Sequence, residues 1–118
     1  MGERAGIHMK KLSEIKVCVG VTSCATGIAH TYMAADAIKK ACKKHGIKVK
    51  VETQGAIGVE NALKPNEIDM ADLIVFANDV QVKKIERFKD AEAAGIIFKC
   101  RPGDVIAKPD IIFSQCEE

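Results

Sequence analysis

One short segment of the sequence combines a cysteine with hydroxyl side chains and small residues. It runs from Thr22 to Thr31 and reads T-S-C-A-T-G-I-A-H-T. Because apolar residues at helical spacing follow, the segment is expected to lead into a helix, whose unpaired N–H groups and dipole attract anions. The same field stabilises a thiolate, which makes Cys24 the best nucleophile in the chain. We therefore predict an anion site around an activated thiol that can receive a phosphoryl group.

Three residues near Cys24 have types that suit this site. Gly27 lets the backbone come close to a bound anion, and Thr26 and Thr31 add hydroxyl donors. His30 has two interpretations: it orients or protonates a group at the loop, or it is a solvated side chain, which is commoner in a first helical turn. Cys24 itself could also be an inert polar cap residue, and its place at a helix start favours the reactive interpretation.

The other four of the five cysteines have contexts that indicate structural or incidental roles. Cys18 falls within an apolar strand and Cys42 on the core side of a helix, where a free cysteine behaves as a small hydrophobic residue. Cys100 and Cys116 have no chemically suited neighbours in the sequence. The spacing contains no C-x-x-C pair and no zinc-finger pattern, so we predict neither a metal nor a cofactor.

Strand-like and helix-like segments alternate along the chain. The predicted strands span 15–21, 47–52, 73–77 and 96–100, the second with one exposed face. The predicted helices span 28–42, closed by Gly46, then 65–71, 83–88 and 104–115 with a kink at Pro109, and a weaker helical stretch spans 59–63 after a glycine-rich turn. This order predicts an α/β fold: a small open parallel sheet of four strands with helices on both faces, flavodoxin-like or Rossmann-like.

In open parallel sheets the ligand crevice lies at the carboxyl ends of the strands, which is where the Cys24 segment falls. The length of 118 residues fits one domain, so we assign 13–118 to a single domain and 1–12 to an N-terminal arm or expression remnant. A net charge of +2 and an aromatic content of 4% without tryptophan argue against a nucleic-acid partner. No apolar run approaches membrane-spanning length, so a cytoplasmic location is expected.

Three stretches of the sequence resemble a known family. The run from Val21 to Ala35, V-T-S-C-A-T-G-I-A-H-T-Y-M-A-A, resembles the active-site segment of fructose-type enzyme IIB components of the bacterial phosphoenolpyruvate-dependent sugar phosphotransferase system. The block from Val51 to Gly55, followed by Gly58 and then Glu60 and Asn61, is similar to the segment after the family's second strand, and 68–77 is similar to its third-strand region. The resemblance covers roughly residues 15 to 113.

The resemblance implies a phosphohistidine–sugar phosphotransferase. Cys24 would take phosphate from a phosphohistidine on an enzyme IIA protein and pass it to a sugar, fructose by default, held by the membrane enzyme IIC, so the protein would act at the inner face of the membrane. The implied phosphate-binding residues are Ala25, Thr26, Gly27, Ile28, Ala29, His30 and Thr31, and the implied border of the site is Thr53, Gln54 and Gly55. The family commonly has proline after the cysteine, where this chain has Ala25, so a less rigid loop is expected.

Two alternatives stay open at this point. Low-molecular-weight tyrosine phosphatases and the related arsenate reductases also place a cysteine loop after a first parallel strand, but they use C-x5-R, whose arginine stabilises the transferring phosphoryl group. Here the sixth position after Cys24 is His30. Slow hydrolysis of a thiophosphate is therefore expected, as a phosphate carrier requires. The other alternative is a non-catalytic, flavodoxin-like binding module in which Cys24 is inert.

Overall fold

The computed structural model describes residues 15–24, 28–55 and 58–114, apart from the side chains of residues 28 and 29. The predicted arm 1–12 and the start of the predicted domain therefore lie outside the described residues. So do Ala25, Thr26 and Gly27 of the predicted anion loop, the side chains of Ile28 and Ala29, and Cys116. Among the described residues, no helix is long and apolar enough to cross a membrane.

Strands and helices alternate along most of the described chain. In chain order they are β1 Val17–Ser23, α1 Ile28–Lys44, β2 Lys48–Gly55, β3 Gly58–Glu60, α2 Pro65–Met70, β4 Leu73–Asn78, α3 Lys89–Ala94, β5 Ile97–Cys100 and α4 Pro102–Ala107. Short 3-10 helices at Ile85–Phe88 and Pro109–Phe113 precede α3 and follow α4. The described strands form one sheet in the order β3-β2-β1-β4-β5.

The α/β fold class with an open, largely parallel sheet is confirmed, whereas the strand count of four was wrong. β1 runs parallel to β2 and β4, and β4 runs parallel to β5. The additional strand, β3, pairs antiparallel with the end of β2 and overlaps the start of the stretch predicted as a weak helix. Its three residues are too few to show an alternating pattern, and only pairing with β2 makes them a strand.

Helices cover both faces of the sheet, as predicted. On one face α1 and α4 pack over side chains such as Cys18, Leu73 and Val75. On the other face α2, α3 and the 3-10 helix Ile85–Phe88 cover side chains such as Val19 and Ile74. The two sets alternate along the strands because successive strand residues point to opposite faces. Full burial of each large aliphatic side chain contributes roughly 1.5–3 kcal/mol to folding.

Close packing of α1 on the sheet requires a small residue in β1. A Cβ atom added at Gly20 would lie 3.4 Å from the carbonyl oxygen of Val75 and 3.5 Å from Cδ1 of Ile38. A side chain larger than a methyl group would therefore push the helix outward. At the other end of α1 the chain turns at Gly46 with φ of +70°, which confirms the predicted helix stop.

Apart from β3 and from shifts of one or two residues at the ends of other elements, three predicted elements differ from the structure in their bounds or type. β2 continues to Gly55, and Glu52 is buried, so the expectation of one exposed face was wrong at this end of the strand. The helix predicted for 83–88 is a 3-10 helix that leads into α3. The final helix begins earlier than predicted and is interrupted as expected, because a 3-10 helix starts at Pro109.

Candidate functional site

Three parallel strands end side by side at one edge of the sheet. Ser23 at the end of β1 is in register with Gln54 of β2 on one side and with Asn78 of β4 on the other. Cys24 follows Ser23 directly and is half-buried, and α1 begins four residues later at Ile28. The structure therefore brings Cys24, the start of α1 and the ends of these strands to the same edge.

Residues of α1 near Cys24 differ in their exposure. His30 is exposed, whereas Thr31 is fully buried against β1 and β2. The hydroxyl of Thr22 donates a hydrogen bond of 3.1 Å to the carbonyl oxygen of Thr31. A Cβ atom added at Gly55 would lie 3.9 Å from Cγ2 of Thr31. The first turns of α1 are thus held against the ends of both strands, and Gly55 lies next to Thr31.

A second group of contacts, on the face of the sheet covered by α1, links this helix to the paired strands β2 and β3. The hydroxyl of Tyr32 donates a hydrogen bond to Oε1 of Glu60, and the hydroxyl of Thr53 donates to the same oxygen over 3.5 Å. The hydrogen bond to Glu60, followed by burial, raises the pKa of Tyr32 above its ordinary value. Thr53 is therefore on the α1 side of the site border. Tyr32 and Glu60 are 28 positions apart, and no sequence pattern predicts their contact.

On the opposite face the residue before Cys24 is held by the end of β4. The side-chain amide of Asn78 donates a hydrogen bond of 2.8 Å to the hydroxyl oxygen of Ser23, and that hydroxyl donates to the carbonyl oxygen of Val80 over 3.1 Å. The backbone N–H of Asp79 also donates to the carbonyl oxygen of Ser23 over 3.1 Å. Both the side chain and the main chain of Ser23 are thereby fixed.

Gln54 belongs to this second face and contacts the segment after β4. Its side-chain oxygen accepts a hydrogen bond of 2.8 Å from the backbone N–H of Lys83, and its amide donates to Oε2 of Glu52 over 2.6 Å. The residues of the predicted border therefore divide between the two faces. Gly55 and Thr53 lie towards α1, and the side chain of Gln54 ties β2 to the chain that follows β4.

A buried ion pair lies behind Gln54. Arg87 donates to both carboxylate oxygens of Glu52, from Nη1 over 2.8 Å and from Nη2 over 3.1 Å. Burial would raise the pKa of Glu52, but the hydrogen bonds from Arg87, the Leu63 N–H and Gln54 outweigh it, so the pKa lies below its usual value. The sequence reasoning missed this pair because Glu52 stands in an alternating strand, where a charged residue normally faces solvent.

The guanidinium of Arg87 has no donor left for another anion. Nη1 also donates to the carbonyl oxygen of Leu63 over 3.2 Å, Nη2 to that of Lys83 over 3.1 Å and Nε to that of Lys84 over 2.9 Å. Together with Glu52 these acceptors use every N–H of the group. Arg87 is therefore a structural cation that joins β2 to two loops, and it is not a phosphate ligand.

The remaining described cysteines lie in settings that do not favour nucleophilic chemistry. Cys18 and Cys42 are fully buried in the core beneath α1. Burial, followed by the nearby Asp104 carboxylate, raises the pKa of the Cys100 thiol to about 11, so it is protonated at neutral pH. In the described ranges no three histidine, cysteine or acidic side chains are grouped so that they could hold a metal ion.

One protein-family model matches most of the chain, including this edge of the sheet. The family model described as "PTS system, Lactose/Cellobiose specific IIB subunit" matches residues 19–114. The chain belongs to the IIB family. The match spans the edge that holds Cys24 and both groups of contacts around it. It confirms the recognition of an enzyme IIB component of the phosphotransferase system made from the Val21 to Ala35 run.

Several curated relatives and solved structures that resemble this chain are fructose-like or fructose-specific components. A fructose-like EIIB component 2 from Escherichia coli K12 is 41% identical over 99 residues, which cover 84% of this chain and 90% of the relative. A fructose-specific EIIABC component from Bacillus subtilis is 51% identical over 71 residues, 60% of this chain and 11% of the relative. The crystal structure of a domain from a fructose-specific IIABC component of Borrelia burgdorferi superimposes with a TM-score of 0.77 at 35% identity, covering 86% of this chain and 93% of that domain.

Proposed function

We propose that this IIB domain carries a phosphoryl group on Sγ of Cys24, which it receives from a phosphohistidine of an enzyme IIA protein and passes to a sugar bound by enzyme IIC. Membership of the family already places the domain in phosphotransfer during sugar uptake. The observation that carries the finer proposal is the position of Cys24. It lies between the end of β1 and the start of the 17-residue helix α1, at the edge where strand ends meet.

The chemistry consists of two displacements at phosphorus. In the first, the Cys24 thiolate attacks the phosphoryl group, an S–P bond forms and the P–N bond to histidine breaks, leaving a neutral imidazole after protonation. In the second, a sugar hydroxyl attacks the same phosphorus, an O–P bond forms and the S–P bond breaks, and the released proton balances the thiolate that leaves. The N-terminus of α1 would stabilise the phosphoryl charge in both steps, since its N–H groups and dipole favour an anion there.

The partners follow from how related domains are built. The relative from Bacillus subtilis is an EIIABC component, and relatives from Escherichia coli and Rhodobacter capsulatus are EIIB'BC components. Joining A, B and C parts in one protein supports an A-type phosphate donor and a C-type membrane acceptor for this domain. Action at the inner face of the membrane belongs to the same proposal. Fructose is the sugar named for these relatives, and we propose it here.

A phosphatase-like or arsenate reductase-like activity is disfavoured by the arginines in the described residues. Such enzymes need a guanidinium beside the cysteine to stabilise phosphoryl charge. Arg87 donates all its N–H groups to protein acceptors, and Arg101 lies beyond β5, two strands from β1. Hydrolysis of the thiophosphate is therefore expected to be slow. A binding module with an inert Cys24 remains the other alternative.

Intact-mass spectrometry separates these functions. The protein is incubated with phosphoenolpyruvate, the general phosphotransferase proteins and a fructose-type enzyme IIA. The carrier predicts a gain of one phosphoryl group that is stable over minutes and absent in Cys24→Ser. Turnover of p-nitrophenyl phosphate by the wild type would indicate a phosphatase, and the absence of both signals would indicate a binding module.

A further inference from the structure

We infer that Asn78 and Ser23 form a positioning pair that fixes Cys24 for phosphoryl transfer, an inference that rests on the function proposed above. Neither residue is among the site residues predicted from the sequence. Asn78 is the last residue of β4 and Ser23 the last residue of β1, and the two are directly in register. Neither is proposed to touch phosphorus, so both would act through the backbone of the cysteine.

The contacts of Ser23 leave it little freedom. Its hydroxyl accepts a hydrogen bond of 2.8 Å from Nδ2 of Asn78 and donates one of 3.1 Å to the carbonyl oxygen of Val80. The same Nδ2 also donates a hydrogen bond of 3.4 Å to the carbonyl oxygen of Val21, which lies two residues before Ser23 in β1. The hydroxyl is thus oriented by a donor on one side and an acceptor on the other.

Burial makes this arrangement effective. Ser23 is only 1% exposed, so water does not compete for its hydroxyl, and hydrogen bonds shielded from solvent hold geometry more strongly. The side chain of Ser23 lies in register beside Gln54 on the face away from α1, while Thr22 contacts α1 on the other face. The pair therefore fixes the end of β1 on the face of the sheet opposite α1, the helix proposed to bind the phosphate.

The position of Cys24 relative to its neighbours explains why this constraint matters. The residue after it is Ala25, which does not restrict its own φ as a proline would. Ser23, the residue before the cysteine, constrains the cysteine backbone from the β1 side because its own side chain and main chain are hydrogen-bonded. An error of about 1 Å in the placement of a reacting group can cost on the order of 100-fold in rate. Loss of the pair should thus slow transfer even in a folded protein.

The test compares Ser23→Ala, Asn78→Ala and the double variant with the wild type. Phosphorylation by phospho-enzyme IIA is followed by rapid quench, at several concentrations of the donor. We expect the rate constant at saturating donor to fall about ten-fold in each single variant, with the half-saturating donor concentration nearly unchanged. The double variant should match the singles because the residues act as one unit. Asn66→Ala, an exposed asparagine of α2, is the matched control and should keep the wild-type rate.

Each outcome decides between positioning and a purely structural role. Circular dichroism establishes that the variants are folded, and Ser23→Ala, which removes one oxygen atom, keeps the test available if Asn78→Ala does not fold. A lower melting temperature with the wild-type rate constant for phosphorylation would overturn the inference, as would independent, multiplicative losses in the double variant. A wild-type protein that accepts no phosphate would refute the proposed function instead, so the two failures are distinguishable.

Discussion

Arg87 and Glu52 form a bidentate ion pair near the edge of the sheet that holds Cys24. The Nη1–Oε1 and Nη2–Oε2 distances are 2.8 and 3.1 Å. Glu52 is 1% exposed, and the Arg87 side chain is 16% exposed. Because the guanidinium also binds the carbonyl oxygens of Leu63 and Lys83, the pair connects β2 with the segments before α2 and after β4. Loss of the pair should therefore lower the free energy of unfolding of the whole domain.

Arg87→Met tests this connection by removing the charge while keeping much of the side-chain volume. The substitution leaves Glu52 buried without its cationic partner. It also removes the guanidinium donors to the carbonyl oxygens of Leu63, Lys83 and Lys84. We expect the free energy of unfolding to fall by about 3 kcal/mol, since breaking one side of a buried pair is costly. Urea unfolding followed by circular dichroism measures the change.

The matched control is Lys99→Met, which breaks an exposed pair. Lys99 and Glu92 are 3.5 Å apart and both side chains are 62% exposed. Exposed pairs of this kind contribute little to stability, so the control should unfold almost as the wild type does. Equal decreases in the free energy of unfolding of the two variants would show that the Arg87 contacts contribute no more to stability than an exposed ion pair.

The lowered pKa of Glu52 predicts a pH dependence with a definite sign. A carboxyl group whose pKa is lower in the folded than in the unfolded state stabilises the fold above its unfolded value, near 4.5, and that contribution is lost as the pH falls through the folded value. The stability difference between wild type and Glu52→Gln should therefore be largest at neutral pH and shrink below about 4.5. Urea unfolding of both proteins across the acid range measures it, and a constant difference would contradict the assignment.

Tyr32 offers a spectroscopic test of its bond to Glu60. The chain has one tyrosine and no tryptophan, so the tyrosinate absorbance in an alkaline titration reports Tyr32 alone. The midpoint should lie above 10.0 in the wild type, because the hydrogen bond to Glu60 favours the protonated phenol. Glu60→Gln should move the midpoint back towards 10.0, whereas an unchanged midpoint would show that the two side chains do not interact in solution.

The cysteines should differ in their rates of alkylation. Cys18 and Cys42 are fully buried, and the Cys100 thiol, with its pKa raised to about 11, is protonated at neutral pH. Iodoacetamide should therefore modify Cys24 first among these four residues, as followed by peptide mass spectrometry. Faster modification of Cys100 than of Cys24 would argue against an accessible thiol at the end of β1.

The fold was predictable where sequence patterns are long and regular. The 17-residue helix α1 shows its apolar period and its stop at Gly46, and the buried β4 shows a continuous apolar run. β3 was missed because its three residues become a strand only by pairing with β2. Local sequence contains no information about such a partner.

The site was predictable only in part for a similar reason. Cys24 and the start of α1 are neighbours in the chain, so sequence spacing brought them together. Contacts such as Asn78 with Ser23 and Arg87 with Glu52 join residues 55 and 35 positions apart. Strand order sets these distances, and a single sequence does not give the strand order. An alternating strand also made Glu52 look exposed, although it is buried.

The most direct test is to determine which atom bears the phosphoryl group. The protein, phosphorylated from phosphoenolpyruvate through enzyme IIA, is examined by ³¹P nuclear magnetic resonance and then digested for peptide mapping. A phosphorus bonded to sulfur has a chemical shift distinct from one bonded to a ring nitrogen. We predict an S–P signal, a phosphopeptide containing Cys24, and loss of both in Cys24→Ser. An N–P signal that persists in Cys24→Ser and disappears in His30→Gln would contradict the role assigned to Cys24.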